Sequence, residues 1–429
     1  MRSVLETDRR VLALALARMA DAVGNSFLIV VLPVYIAQGG VSGATFGLTE
    51  TMVTGVVLSL FGFLNSATQP FAGRLSDRTG KRRAFILLGL GLLTLTNAAY
   101  AFAGSYASLV VIRALQGVGV AFTIPCTIAL VNELTTTETR GGNMGVFNTF
   151  RLLGFGLGPI AAGSVVDQGP YVVDGASLGG VALGRFSLGG FDAAFAVAAG
   201  GAFVSYLVVA LLVSDPERTQ ASAGEDLSIA VRDEDGLDPV FTLGLATLFL
   251  AVSIALLATI EPRINERLAQ GKTWFGLQFA AFVLAQVVLQ TPIGSASDTY
   301  GRRPFIVAGL VLLVPTTLVQ GFVVTSWGML FARLGQGVAG ALVFAPALAL
   351  AGDLAREGQS GTQLSVLTMA FGLGTAVGPL ASGALVSFGF AVPFAFGASL
   401  AALAAVLVYS QVEETVGTSA TERQAAPQD

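Results

Sequence analysis

Read from its first residue, the chain alternates long apolar stretches with short polar connections. The apolar stretches run near Val11 to Ala37, Leu48 to Ala72, Ala84 to Ala103, Ser108 to Asn132, Asn143 to Val166 and Phe191 to Val213. They resume near Pro239 to Ile260, Trp274 to Ala296, Phe305 to Thr325, Trp327 to Ala351, Thr362 to Val386 and Phe390 to Val412. Each holds about 20 residues or more, enough to cross a hydrocarbon core of roughly 30 Å as a helix. The pattern predicts an all-α membrane protein of twelve transmembrane helices. Asp167 to Gly190 is also fairly apolar, but its many glycines, Pro170, Asp174 and Arg185 make a poor helix. An external loop with a small hairpin is expected there.

Composition agrees with a bilayer as solvent. Of 429 residues, 54% are hydrophobic and 12% charged, against roughly 25% charged in a soluble domain. The chain has no histidine, which removes imidazole metal sites, histidine-based triads and histidine proton relays. Its single cysteine, Cys126, lies in an apolar run, where it serves as a small packing residue. No metal-ligand cluster, Walker-type phosphate loop or Ser/His/Asp set is present, so neither an enzyme nor a cofactor is expected. The first apolar stretch lacks a small-residue cleavage site and reads as a retained helix.

Arginine and lysine fix the expected orientation. With the N-terminus inside, about fifteen basic residues fall on the cytoplasmic side, and Arg185, Arg263, Arg267 and Lys272 remain outside. That bias places both termini and the acidic segment Ser214 to Asp238 in the cytoplasm of a cell-membrane protein.

The densest basic segment, Gly73 to Arg83 (GRLSDRTGKRR), returns as Gly294 to Pro304 (GSASDTYGRRP). Other features repeat at an offset of 220 or 221 residues: Arg113, Gln116 and Gly117 with Arg333, Gln336 and Gly337, Pro125 with Pro346, and Glu133 with Asp353. Gly158, Pro159 and Gly163 likewise match Gly378, Pro379 and Gly383. Two six-helix repeats follow: residues 1–213 and 239–412, joined by a linker at 214–238 and followed by a tail at 413–429.

The turn at Gly73, Leu75, Asp77, Arg78, Gly80, Lys81 and Arg82 resembles the loop between the second and third helices of major facilitator superfamily transporters. Its second copy keeps Gly294, Asp298, Gly301, Arg302 and Arg303, with Thr299 in place of Arg78. The resemblance implies a pseudo-symmetric fold of two six-helix halves. It also implies that Asp77 and Asp298 help latch the cytoplasmic side, a network that Glu133 and Asp353 can join. The segment from Leu109 through Arg113, Gln116 and Gly117 is similar to the family's fourth-helix motif, whose arginine is linked to proton transfer in proton-driven members. Arg151, Gly154, Gly158, Pro159, Ala162 and Gly163 resemble the fifth-helix motif of the drug/proton antiporter group, with Ala162 replacing one glycine of a pair. Small residues four apart also allow close helix packing, and Pro159 a bend; Gly374, Gly378, Pro379 and Gly383 echo them.

Features found in one repeat only are the better candidates for substrate and ion chemistry. Asp21, Asn25 and Arg151 have Phe241, Leu245 and Phe371 as counterparts. Arg18, Asp21 and Asn25 share one helical stripe, and Asp21 lies about 15 Å into its span, near the midplane. An ionised group there costs at least roughly 3 kcal/mol unless it meets a cavity or a partner. Either Asp21 loads and releases a proton, with Arg113 as its associate, or it forms a structural pair with Arg18 or another arginine. Arg151 either meets an anionic substrate group or holds Asp21; Arg18, Asn25 and Gln116 complete the expected cavity set.

The expected activity is proton-coupled efflux of an apolar or amphipathic small molecule by alternating access. The alternatives are a proton-linked importer of a small metabolite or organic anion, and a non-transporting membrane sensor or lipid-handling protein. The expected partners are a small-molecule substrate, protons and the lipid bilayer, with no nucleic acid, and the expected state is a monomer.

Overall fold

The computed structural model describes residues 8–45, 47–135, 140–173, 177–178, 181–182, 186–216, 231–233, 236–354 and 360–415. Most of the acidic linker and the tail beyond Thr415, with Arg2, Arg185, Arg218, Arg356 and Arg423, lie outside the described residues.

Among the described residues, twelve helices are long and apolar enough to cross a membrane. They are α1 (Arg9–Ala37), α2 (Glu50–Thr79), α3 (Arg82–Ala99), α4 (Tyr106–Glu133), α5 (Arg140–Gln168), α6 (Gly190–Leu212) and α7 (Pro239–Thr259). After a short α8 (Glu261–Arg267) come α9 (Lys272–Tyr300), α10 (Arg302–Leu318), α11 (Ser326–Asp353), α12 (Ser360–Leu385) and α13 (Val392–Gln411). Each matches an apolar stretch of the sequence within a few residues at most ends. α2 and α9 run further, into the basic turns. The loop after α5 forms the expected hairpin: β1 (Tyr171–Val173) pairs antiparallel with β4 (Phe186–Leu188), around the shorter pair β2 (Ser177–Leu178) and β3 (Val181–Ala182). The linker holds one more small pair, β5 (Arg232–Asp233) with β6 (Gly236–Leu237).

Local chemistry sets the helix ends. Asp8 caps α1 by accepting from the Arg10 amide at 2.7 Å. Ser105 and Ser108 form a reciprocal capping box on α4, satisfying amides that have no intrahelical partner. α2 stops at Gly80, whose left-handed φ of +66° lets the chain reverse into α3 with no Cβ penalty.

The helices gather into two units. One comprises residues 1–224 with 258–280, the other 225–257 with 281–429. The first unit therefore includes α8 and the start of α9. In it α1 packs on α5 and α6, while α4 packs on α2 and α3. Its core includes Leu14, Ile86, Leu90, Leu130 and Val209. In the second unit α10 packs on α11 and α13, around Leu243, Leu250, Leu310, Val343 and Val408.

Large apolar side chains also point outward. In the second unit, exposed Phe322, Trp327 and Phe388 sit where α10 ends, α11 begins and α12 ends, while Tyr300 and Tyr409 are exposed at the opposite helix ends. An apolar exterior with aromatic rings at both rims suits lipid.

Candidate functional site

The site residues of the first repeat fall into three groups. In α1, Arg18 donates to the Asp21 carboxylate three residues on, so the pair lies along one face of the helix. Asp21 is buried. The pair lines a cavity of about 10 Å³ with Ile86, Leu90, Thr123, Thr127 and Val209, from α3, α4 and α6. That volume suits about one water molecule. Asn25 lies two turns from Arg18 on the same helix, half-buried.

Arg113 does not reach Asp21. Its Nη1 donates to Gln116 Oε1 at 3.0 Å, and its guanidinium lies 4.8 Å from the centre of the Phe61 ring. Gln116 also accepts from the Tyr100 hydroxyl at 2.7 Å and donates to Asn97, which itself donates to the Ala198 carbonyl at 3.0 Å. The second repeat copies this arrangement. Arg333 donates to Gln336 and lies 4.7 Å over Phe282, and Gln336 donates to the Thr317 hydroxyl at 3.1 Å. Aromatic faces and amide oxygens thus stand where an anion would otherwise be needed. Arg151 does not pair with Asp21: its Nε donates to Asn148 Oδ1 at 3.0 Å, within α5.

The basic turns build the third group. Arg82, 4% exposed, is held by Asp77 and by Glu133 at 3.0 Å, and it donates to the Ser76 hydroxyl at 2.9 Å. Arg302 repeats the scheme with Asp298 at 3.1 Å, Asp353, and the Ala349 carbonyl at 2.7 Å. Gly80 and Gly301 both have left-handed φ. Arg78 is exposed and belongs to none of the described ion pairs.

The fifth-span glycines are contact points. A Cβ on Gly154 would lie 2.3 Å from the Met19 carbonyl oxygen, and one on Gly158 would lie 2.0 Å from Ser26 Oγ, both on α1. Gly374 and Gly378 do the same against Leu248 and Ala255 of α7. Pro159 and Pro379 lie inside their helices, and Gly383 is buried. Gly163 approaches the Lys272 backbone, where a Cβ would be 2.6 Å from the carbonyl. Gly73 is looser, with Pro125 Cβ 4.0 Å away.

Sequence reasoning missed two sets of residues. Asp215 accepts from the Arg83 amide and Glu414 from the Arg303 amide, each at 2.8 Å. Glu261, at the start of α8, is fully buried; the acid directly after an apolar run was the available signal. Among the described residues, no three His, Cys, Asp or Glu side chains gather as a metal site.

The family model for the Major Facilitator Superfamily matches residues 14–241 and 243–428. An uncharacterized MFS-type transporter of Methanocaldococcus jannaschii is 32% identical over 41% of this chain and 46% of its own length. The human synaptic vesicular amine transporter is 24% identical over 79% of this chain and 62% of its own length. The chain thus spans less than two thirds of both. The quinolone resistance protein NorA of Staphylococcus aureus is 22% identical over 90% of this chain and 93% of its own. Among solved structures, a bacterial homolog of the human lysosomal transporter Spinster matches with a TM-score of 0.72 at 14% identity, covering 93% of this chain and 95% of that one. This last likeness speaks for the fold alone. With twelve apolar helices, a repeated basic turn and a family match along nearly its whole length, the chain belongs to the Major Facilitator Superfamily.

Proposed function

We propose that this protein is a secondary active transporter of the cell membrane that exports apolar or amphipathic small molecules in exchange for protons. On this reading it works as a monomer by alternating access, with both termini and the basic turns in the cytoplasm. Family membership and the similarity to a quinolone resistance protein along most of both chains support export.

The observation that carries proton coupling is the Arg18–Asp21 pair, present in one repeat only and set inside the first span beside a water-sized cavity. In the pair Arg18 donates to the Asp21 carboxyl and offsets its negative charge. Once water or substrate loosens that contact, the carboxyl takes a proton, because an isolated carboxylate in a low-dielectric interior is costly. A proton moving down the membrane potential supplies about 2.3 kcal/mol per 100 mV, enough for one per cycle to maintain a useful solute gradient. The networks around Arg82 and Arg302 would break and re-form as access alternates.

The test is Asp21→Asn in proteoliposomes. Transport driven by a pH gradient should be lost while binding of a lipophilic cationic substrate remains measurable. Gradient-driven flux equal to wild type would reject the role of Asp21.

A further inference from the structure

Beyond the end of α7 the chain turns into α8, and its first residue, Glu261, is 0% exposed. Among the described residues its one hydrogen bond is long, 3.4 Å from Asn265 Nδ2 to Oε1, and Oε2 is buried with no hydrogen-bond partner. Around it the amides satisfy one another: Gln270 donates to Asn265 at 3.0 Å and to Gln278 at 3.1 Å, and Gln278 returns a bond at 2.8 Å. A carboxylate buried with half its acceptors empty is costly, whereas the neutral acid is tolerated.

Next to this acid lies a tight junction between α5 and α9. Asp167 at the end of α5 accepts from Lys272 Nζ at 3.1 Å, from the Thr273 amide at 3.1 Å and from its hydroxyl at 3.0 Å. Glycines let the backbones meet: a Cβ on Gly163 would lie 2.6 Å from the Lys272 carbonyl, and one on Gly276 2.3 Å from that of Pro159. The charges acting on Glu261 are those of Lys272 and Asp167, which oppose each other. The other charged groups of α8, Arg263, Glu266 and Arg267, are exposed. α1, which packs on α8, has its charged residues at Arg9, Arg10, Arg18 and Asp21 and none from Ala22 to Ala37.

We infer that Glu261 is a second proton-binding site, whose occupancy is linked to closure of the Asp167–Lys272 junction. Closed, the junction keeps the carboxyl dry and protonated. Opened, it lets water in, and the proton leaves. Burial pushes the Glu261 carboxyl well above the usual carboxylate range; the Asn265 hydrogen bond and Lys272 act the other way, and Asp167 adds to the rise. The sign follows. The closed form binds the proton more tightly, so lower pH favours closure. Between the ordinary carboxylate value and the raised one, each pH unit upward shifts the equilibrium about tenfold toward opening.

This inference adds an acid that the proposed antiport does not use, and its test needs neither substrate nor gradient, so either can fail without the other. The chain has two tryptophans, and Trp274 directly follows Thr273 of the junction while Trp327 is exposed elsewhere. In a Trp327→Phe background, quenching of Trp274 emission by iodide should rise with pH as a single-proton transition whose midpoint lies above the ordinary carboxylate range. Adding Glu261→Gln, nearly isosteric and uncharged, should hold quenching at its low-pH level at every pH. A protonated-carboxyl infrared band should titrate with the same midpoint in the Trp327→Phe protein and vanish in the Glu261→Gln variant. Quenching of the Trp327→Phe protein that is flat over this range, or an unchanged titration in the Glu261→Gln variant, overturns the inference. The first outcome needs no Glu261 variant to fold.

Discussion

Asp215 reaches back across the end of the first repeat to accept a 2.8 Å hydrogen bond from the backbone amide of Arg83. The contact closes a ring: Asp215, three residues past the end of α6, caps the start of α3, and the Arg83 side chain returns to the Ala210 carbonyl of α6 at 2.5 Å. Glu414 and Arg303 repeat it, with the Arg303 guanidinium 4.9 Å over the Tyr409 ring. An acid at a helix start satisfies an orphan amide and meets the positive end of the helix dipole.

Removing either cap therefore has a bounded cost. Asp215→Ala and Glu414→Ala should each destabilise the protein by about 1 kcal/mol. The two sites are in separate repeats, so the double variant should show their sum within about 0.5 kcal/mol. Unfolding of the purified protein in detergent, followed by circular dichroism, measures both.

The two arginine hubs should differ in weight. Glu133, whose side chain is 11% exposed, would be left buried without its partner in Arg82→Ala, a loss of roughly 3–5 kcal/mol. The partners of Arg302 are wetter, Asp298 at 58% and Asp353 at 39%, and water can take the place of the lost cation. Arg302→Ala should cost clearly less, about 1–2 kcal/mol, nearer the range of exposed pairs. Melting temperatures of the two variants side by side decide it; equal losses would contradict this ranking.

Glycine substitutions offer a steric ladder. In Gly154→Ala the new methyl would fall 2.3 Å from the Met19 carbonyl, so α1 and α5 must separate, at a cost of about 1–3 kcal/mol. Gly200→Ala meets nothing within 4 Å and should be neutral or gain roughly 0.5–1 kcal/mol from helix propensity. Thermal unfolding and expression of folded protein should rank the two in that order.

Gln116 holds a buried cation. Gln116→Leu takes away the oxygen that binds both Arg113 and Tyr100, and should destabilise by about 2–4 kcal/mol, since the guanidinium cannot find water. Gln116→Glu keeps the acceptor and should retain most of the stability, as thermal unfolding of both variants will show.

Much of this architecture was legible in the sequence because lipid imposes a length rule and a basic turn is hard to place elsewhere. The twelve spans and the hairpin after Gln168 follow from those constraints, whereas Arg82 as the partner of Asp77 comes from the structure. The Asp215 and Glu414 caps escaped for a specific reason. They are related by an offset of 199, while the arginines whose amides they cap are 220 apart, so a repeat read at one spacing passes over them. Glu261 escaped because an acid directly after an apolar run reads as an ordinary loop charge. Only tertiary packing of α8 reveals that it is dry. The partner of Asp21 was open among several arginines, and the choice of Arg18 rests on side-chain reach that spacing alone permits but does not impose.

The aromatic rims of the second unit bear on the surroundings the protein will accept. α11 has 28 residues, a length of about 42 Å at 1.5 Å per residue. Trp327 and Phe331 project from one end of it and Tyr409 of its neighbourhood marks the other. Rings anchored at two depths act as a ruler. Lipids with short acyl chains would have to stretch, or the helices to tilt, before both sets of rings reached headgroups. Choice of chain length in reconstitution thus becomes a mechanical variable in its own right.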